Sequence, residues 1–126
     1  MDIKTTLNGF FVINQLKETE VFEVATQIML YKNIPFVFYV EKTEDGYKVS
    51  DHKLVCTFLS KIFDLSSNDV KNCIQEVLNL NRVFLKKGEI FVNVKEENNL
   101  NFFVSNFLVA VCQLIRMQAF FDKPEY

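Results

Sequence analysis

The stretch Pro35-Phe36-Val37-Phe38-Tyr39-Val40-Glu41-Lys42-Thr43-Glu44-Asp45-Gly46-Tyr47-Lys48-Val49-Ser50-Asp51 decides the fold. After the proline, Phe36 to Val40 are all aromatic or β-branched and apolar on both faces of an extended chain, which predicts a buried middle strand. Glu44-Asp45-Gly46 supplies turn chemistry, so Tyr47 to Ser50 returns as an antiparallel neighbour. Directly beyond it, Ser50 or Asp51 can accept the first orphan amide hydrogens of a helix carrying Leu54, Val55, Phe58, Leu59 and Ile62 on one face.

Upstream, residues 21–30 alternate, with Phe22, Val24, Ile28 and Leu30 on one side and Glu23 and Gln27 on the other, as in a strand half exposed to water. Earlier still, Ile3, Leu7, Phe10 and Phe11 fall at helical spacing behind Asp2 and predict a helix over residues 2–16. Gly9 and the run Phe10-Phe11-Val12-Ile13 leave a strand conceivable there. Downstream, Ser66 with Asp69 reads as a capping box opening a helix with Val70, Cys73, Ile74, Val77 and Leu78 on its apolar face. Val83-Phe84-Leu85 and Ile90-Phe91-Val92-Asn93-Val94, joined by Lys86-Lys87-Gly88-Glu89, read as a hairpin. Glu96-Glu97-Asn98-Asn99 breaks the pattern before a long helix over residues 99–121. Together these elements predict a single α+β domain over residues 1–126, an antiparallel sheet with helices on one face and a long C-terminal helix.

Composition narrows the function classes. The chain is 49% hydrophobic and 24% charged with only 3 Gly and 2 Pro, which excludes a disordered or linker-rich chain and assigns its 14 Phe to the core. A net charge of −2 disfavours a dedicated nucleic-acid binder. Cys56, Cys73 and Cys112 are odd in number and lie in apolar helical patterns, and the first six residues lack the features of a signal peptide, so a reducing cytoplasm is expected. Leu100 to Ile115 carries no charge but falls short of the roughly 20 apolar residues of a membrane span and contains Asn101, Ser105, Asn106 and Gln113. No membrane contact is expected.

Residues 26–59 resemble the core of a bacterial and phage family known only as domain of unknown function eighteen twenty-eight. The likeness is carried by Thr26-Gln27, the strand from Ile34 to Lys42, the turn Glu44-Asp45-Gly46-Tyr47 and Ser50-Asp51-His52-Lys53, and continues through residues 21–121. Gln27, His52 and Lys53 stand where that family has Pro, Asp and Gly, and Thr26 and Asp51 match. The resemblance implies this fold and a bacterial or mobile-element origin; it implies no mechanism.

Four groups of residues are candidates for function. Asp51-His52-Lys53 with Glu41 has the residue types of a metal-dependent nuclease site, while the plainer reading makes Asp51 a helix cap and His52 and Lys53 solvated first-turn residues. One His and no C-x-x-C spacing make the three cysteines core residues rather than ligands or nucleophiles, and no cofactor is expected. Residues 53–94 have the element order of a winged helix, which would use Arg82, Lys86 and Lys87 on DNA; Asp69, Lys71 and Glu76 give the would-be recognition helix a net negative charge, so nucleic-acid contact is not favoured. On the last helix, Phe103, Phe107, Val111, Leu114 and Ile115 form one stripe and Asn101, Ser105, Gln113 and Arg116 a narrow polar strip, whereas Phe102, Val109, Phe120 and Phe121 face elsewhere; either the helix is the central core helix or these residues serve as an interface.

These features favour a non-enzymatic protein-interaction module of bacterial or phage origin, related to host defence or mobile elements, acting on a protein partner and forming a homodimer. The alternatives are a nuclease-like enzyme centred on Asp51 and a winged-helix regulator.

Overall fold

The computed structural model describes residues 12–16, 19–31 and 34–117. Its strands are β1 (Val12–Gln15), β2 (Val21–Tyr31), β3 (Ile34–Thr43), β4 (Gly46–Ser50), β5 (Phe84–Lys86) and β6 (Glu89–Val94). The helices are α1 (Leu54–Ser60), α2 (Asn68–Leu80) and α3 (Leu100–Ile115), the last preceded by a 3₁₀ turn at Glu97–Asn99. The strands form one antiparallel sheet in the order β1-β2-β3-β4-β6-β5. The α+β architecture and the strand, helix-pair, hairpin and helix sequence from residue 21 onward are as the periodicity predicts.

Register explains the core. Val24 pairs with Phe38, Phe22 with Val40, Val40 with Val49, Val49 with Val92 and Tyr47 with Val94, and directly opposed residues point to the same side of a sheet. That side carries the three helices. Helix α3 turns Leu100, Val104, Phe107, Ala110, Val111 and Leu114 toward it, a three-and-four spacing, and the Phe107 ring lies 6.2 Å from Phe36 and 5.7 Å from Phe38. Val55 and Leu59 of α1 and Val70, Ile74 and Leu78 of α2 complete the layer. By length and apolar composition Glu97–Ile115 could cross a membrane; in this fold one of its faces is core. The Tyr47 hydroxyl donates to the Glu97 carboxylate, fastening the start of α3 to β4.

Two turns require glycine. Gly46 has φ +144°, and a Cβ there would stand 2.2 Å from the Val94 carbonyl oxygen, so the β3–β4 turn passes against β6 with no room for a side chain. At the β5–β6 turn both Lys87 (φ 52°) and Gly88 (φ 83°) are left-handed, the two-residue geometry that matches strand twist.

Two expectations are corrected. Residues 12–15 of the predicted first helix form strand β1 on Phe22 to Ala25, because the run of apolar and β-branched residues gains more from pairing with β2 than from helical periodicity; residues 2–11 lie outside the described residues. The capping box at Ser66 does not form: the Ser66 hydroxyl donates to Asp64 Oδ1, and α2 starts one residue later, behind Ser67. Helix α3 is described to Ile115, and the end of the predicted helix lies outside the described residues.

Candidate functional site

Among the described residues, strand parity leaves one face of the sheet without helices. Across it runs a row of directly opposed residues: Glu23 on β2, Tyr39 on β3, Ser50 on β4, Phe91 on β6 and Phe84 on β5. Phe84 is 59% exposed and its ring sits 6.0 Å from Phe91. Lys48 lies half-buried two residues before Ser50 on β4, its Nζ 5.1 Å from the Phe91 ring centroid and 3.0 Å from Glu89 Oε1. The other Glu89 oxygen accepts the Ser50 hydroxyl. Burial works against the Glu89 carboxylate, but the Ser50 hydroxyl and the Lys48 ammonium outweigh it and hold the group below its usual range.

The end of this row is shaped by the chain leaving β4. Asp51 is fully buried and its carboxylate is taken up entirely by backbone: Oδ1 accepts Lys53 N–H and Ile90 N–H, and Oδ2 accepts Val55 N–H, each at 2.9 Å. Burial pushes this carboxyl up, against the pull of the three amides. Between strand and helix, His52 (φ 49°) and Lys53 (φ 70°) are both left-handed, a conformation that costs a non-glycine residue about 1 kcal/mol or more. The Asp51 bonds hold it in place, and the result is specific. The His52 imidazole lies flat on the Tyr39 ring, centroids 3.8 Å apart and planes within 6°. The Lys53 stem lies beside the β5–β6 turn, its Cγ 4.0 Å from where a Cβ on Gly88 would stand.

The sequence candidates thus separate. Asp51 is a capping and strand-tying residue with both oxygens occupied, and Glu41 projects from the open face opposite Lys48, so the two carboxylates are not brought together as metal ligands would be. Among the described residues no group of three His, Cys, Asp or Glu side chains is placed to hold a metal ion. His52 is exposed on the open face against Tyr39, and Lys53 is exposed beside the β5–β6 turn, where Lys86 and Lys87 join it; Arg82 (φ 57°) stands in the α2–β5 turn. Cys56 is pushed up to about 11, by burial and then by Asp51, so it holds little thiolate at neutral pH.

On the opposite side of the molecule α3 presents its second face. Phe102 is 57% and Val109 47% exposed. Val109 lines a shallow groove of about 360 Å³ with Leu108, Cys112, Gln113 and Arg116. Phe120 and Phe121 lie outside the described residues. A further groove of about 460 Å³ lies between α1 and the β2–β3 end, lined by Leu30, Ile34, Leu54, Phe58 and Lys61 among others.

Tyr39, Lys48, Glu89, Phe91 and Phe84 were not singled out from the sequence, and Ser50 only as a helix-cap candidate, whereas its hydroxyl accepts His52 N–H and donates to Glu89. Parity was the available signal: each alternates with a buried neighbour, and only the register between distant strands puts them in adjoining positions. In comparisons with known proteins, no family model, curated protein or solved structure matches the chain.

Proposed function

We propose that this protein is a non-enzymatic interaction module that acts through protein surfaces and self-associates through the outer face of α3. One observation carries the reading: one face of the helix is sealed against the sheet, and its exposed face holds Phe102 and Val109 in solvent among Asn101, Ser105, Gln113 and Arg116. Large apolar side chains left in solvent on a helix call for a second cover, and the described residues supply one cover, on the sheet side. A second copy laid across the Phe102–Val109 stripe is an isologous contact, the commonest way for a small protein to close such a surface. The occupied carboxylate of Asp51 speaks against the nuclease reading. A bacterial or phage origin, a cytoplasmic setting and a role in host defence or mobile-element biology rest on the resemblance and cysteine usage described above.

Sedimentation equilibrium over a wide concentration series tests the interface. The expected result is a monomer–dimer equilibrium that Phe102→Ser with Val109→Ser shifts to a folded monomer. A wild-type monomer at every concentration overturns the reading.

A further inference from the structure

The geometry points to a binding surface for single-stranded nucleic acid on the open face of the sheet, where Lys53 and the Lys86–Lys87 turn border the aromatic row of Tyr39 with His52, Phe91 and Phe84. Two segments that are unrelated in the sequence, Asp51-His52-Lys53 and Lys86-Lys87-Gly88, meet here because β4 and β6 are neighbours.

The rings supply the first half of the argument. His52 covers Tyr39 with one face and leaves its other face in water, and Phe84 is the more exposed partner of Phe91. Tyr39 and Phe84 stand in one cross-strand row, three strand intervals or about 14 Å apart, so unstacked bases can lie on rings at both ends. Aromatic platforms of this kind accept any base, since every base has a π face. The left-handed backbone at His52 and Lys53 is strained, and its visible product is the flat, outward presentation of the imidazole.

Charge supplies the second half. Lys53, Lys86 and Lys87 are exposed and engaged in no ion pair among the described residues, while the charge of Glu89 is offset by Lys48 and its other oxygen accepts the Ser50 hydroxyl. This end of the face is therefore cationic, although the whole chain carries −2. Glu23 and Glu41 bound it on the β2–β3 side, which limits the footprint to a few phosphates. Among the described residues the open face presents side-lying rings and no element to enter the major groove of a duplex, so the complementary ligand is a single strand whose bases are free to stack. The surface lies on the side away from α3 and does not depend on self-association there.

Fluorescence anisotropy with a short labelled oligo-dT and the full-length chain tests the proposal. Saturable binding at low salt is expected, with a log–log salt slope of about −2 for three phosphate contacts. Lys86→Gln with Lys87→Asn should weaken binding at least tenfold and bring the slope to about −1. His52→Asn keeps a residue that tolerates left-handed backbone but removes the ring, and should weaken binding several-fold with the slope unchanged. Phe84→Ser, at an exposed position, should do the same. No saturable binding overturns the proposal. So does a blunt duplex of equal length binding as tightly, or affinity that survives both ring substitutions, since either would leave a mere polyanion patch.

Discussion

Asp51 and Ile90, 39 residues apart, exchange two hydrogen bonds: Ile90 N–H donates to Asp51 Oδ1 at 2.9 Å, and Asp51 N–H donates to the Ile90 carbonyl at 3.1 Å. The carboxylate that starts α1 therefore also holds β6 in register. A helix cap alone is worth about 1 kcal/mol, whereas Asp51→Ala strands three amide donors in or near the core. The expected loss is about 3 kcal/mol or more, read from denaturant midpoints. Asp51→Ser, with one acceptor oxygen for three donors, should also be clearly destabilised. A loss near 1 kcal/mol for the alanine variant would mean that the tie to Ile90 contributes nothing.

Phe38 is fully buried between Phe36 and Phe107, with ring centroids 6.2 and 5.7 Å away. Phe38→Ala should cost about 3 to 5 kcal/mol through lost burial and the cavity left behind. A double-mutant cycle with Phe107→Leu should return a coupling of about 0.5 to 1.5 kcal/mol, the increment of an aromatic pair beyond its area. Additive losses would show that the rings are neighbours without a specific contact.

Glu89 gives a pH signature. Its carboxyl is held below the ordinary value of 4.5 in the folded chain despite burial, because the Ser50 hydroxyl and Lys48 ammonium favour the ionised form. A lowered acid pKa contributes stability that is present above the unfolded value and is lost as pH falls through the folded one. The stability difference between wild type and Glu89→Gln should therefore be constant near neutrality and shrink below about pH 4.5. Chemical denaturation at a series of pH values checks this, and a difference that grows on acidification would refute it.

Elements whose burial repeats within a few residues were legible in the sequence. Phe36-Val37-Phe38-Tyr39-Val40 reads as a strand, and the Leu100–Ile115 stripe reads as a helix, because local period and burial agree. The segment Val12–Gln15 was not legible as a strand, since its extended state is chosen by the partner strand β2 rather than by its own residues. The candidate site was hidden for a related reason. Asp51 announces a cap locally, but nothing near it in the sequence announces Ile90, and the Tyr39–His52 stack depends on two successive left-handed residues, of which only His52 is of a type enriched in that region.

The sheet order has a consequence for how the molecule comes apart. Pairings β1–β2, β2–β3, β3–β4 and β5–β6 each join strands consecutive in sequence, whereas β4–β6 spans both α1 and α2. Closing that loop costs about 3 kcal/mol of chain entropy, far more than a two-residue turn. The chain is thus two locally knitted halves meeting along one seam, with Ser50–Glu89 and Asp51–Ile90 as its stitches. Partial opening should run along that line, seen as faster amide exchange for Asp51 and Ile90 than for the middle of β3. The aromatic row crosses the seam, Tyr39 and Ser50 on one half and Phe91 and Phe84 on the other, so anything lying along the row clamps the halves shut and slows their breathing.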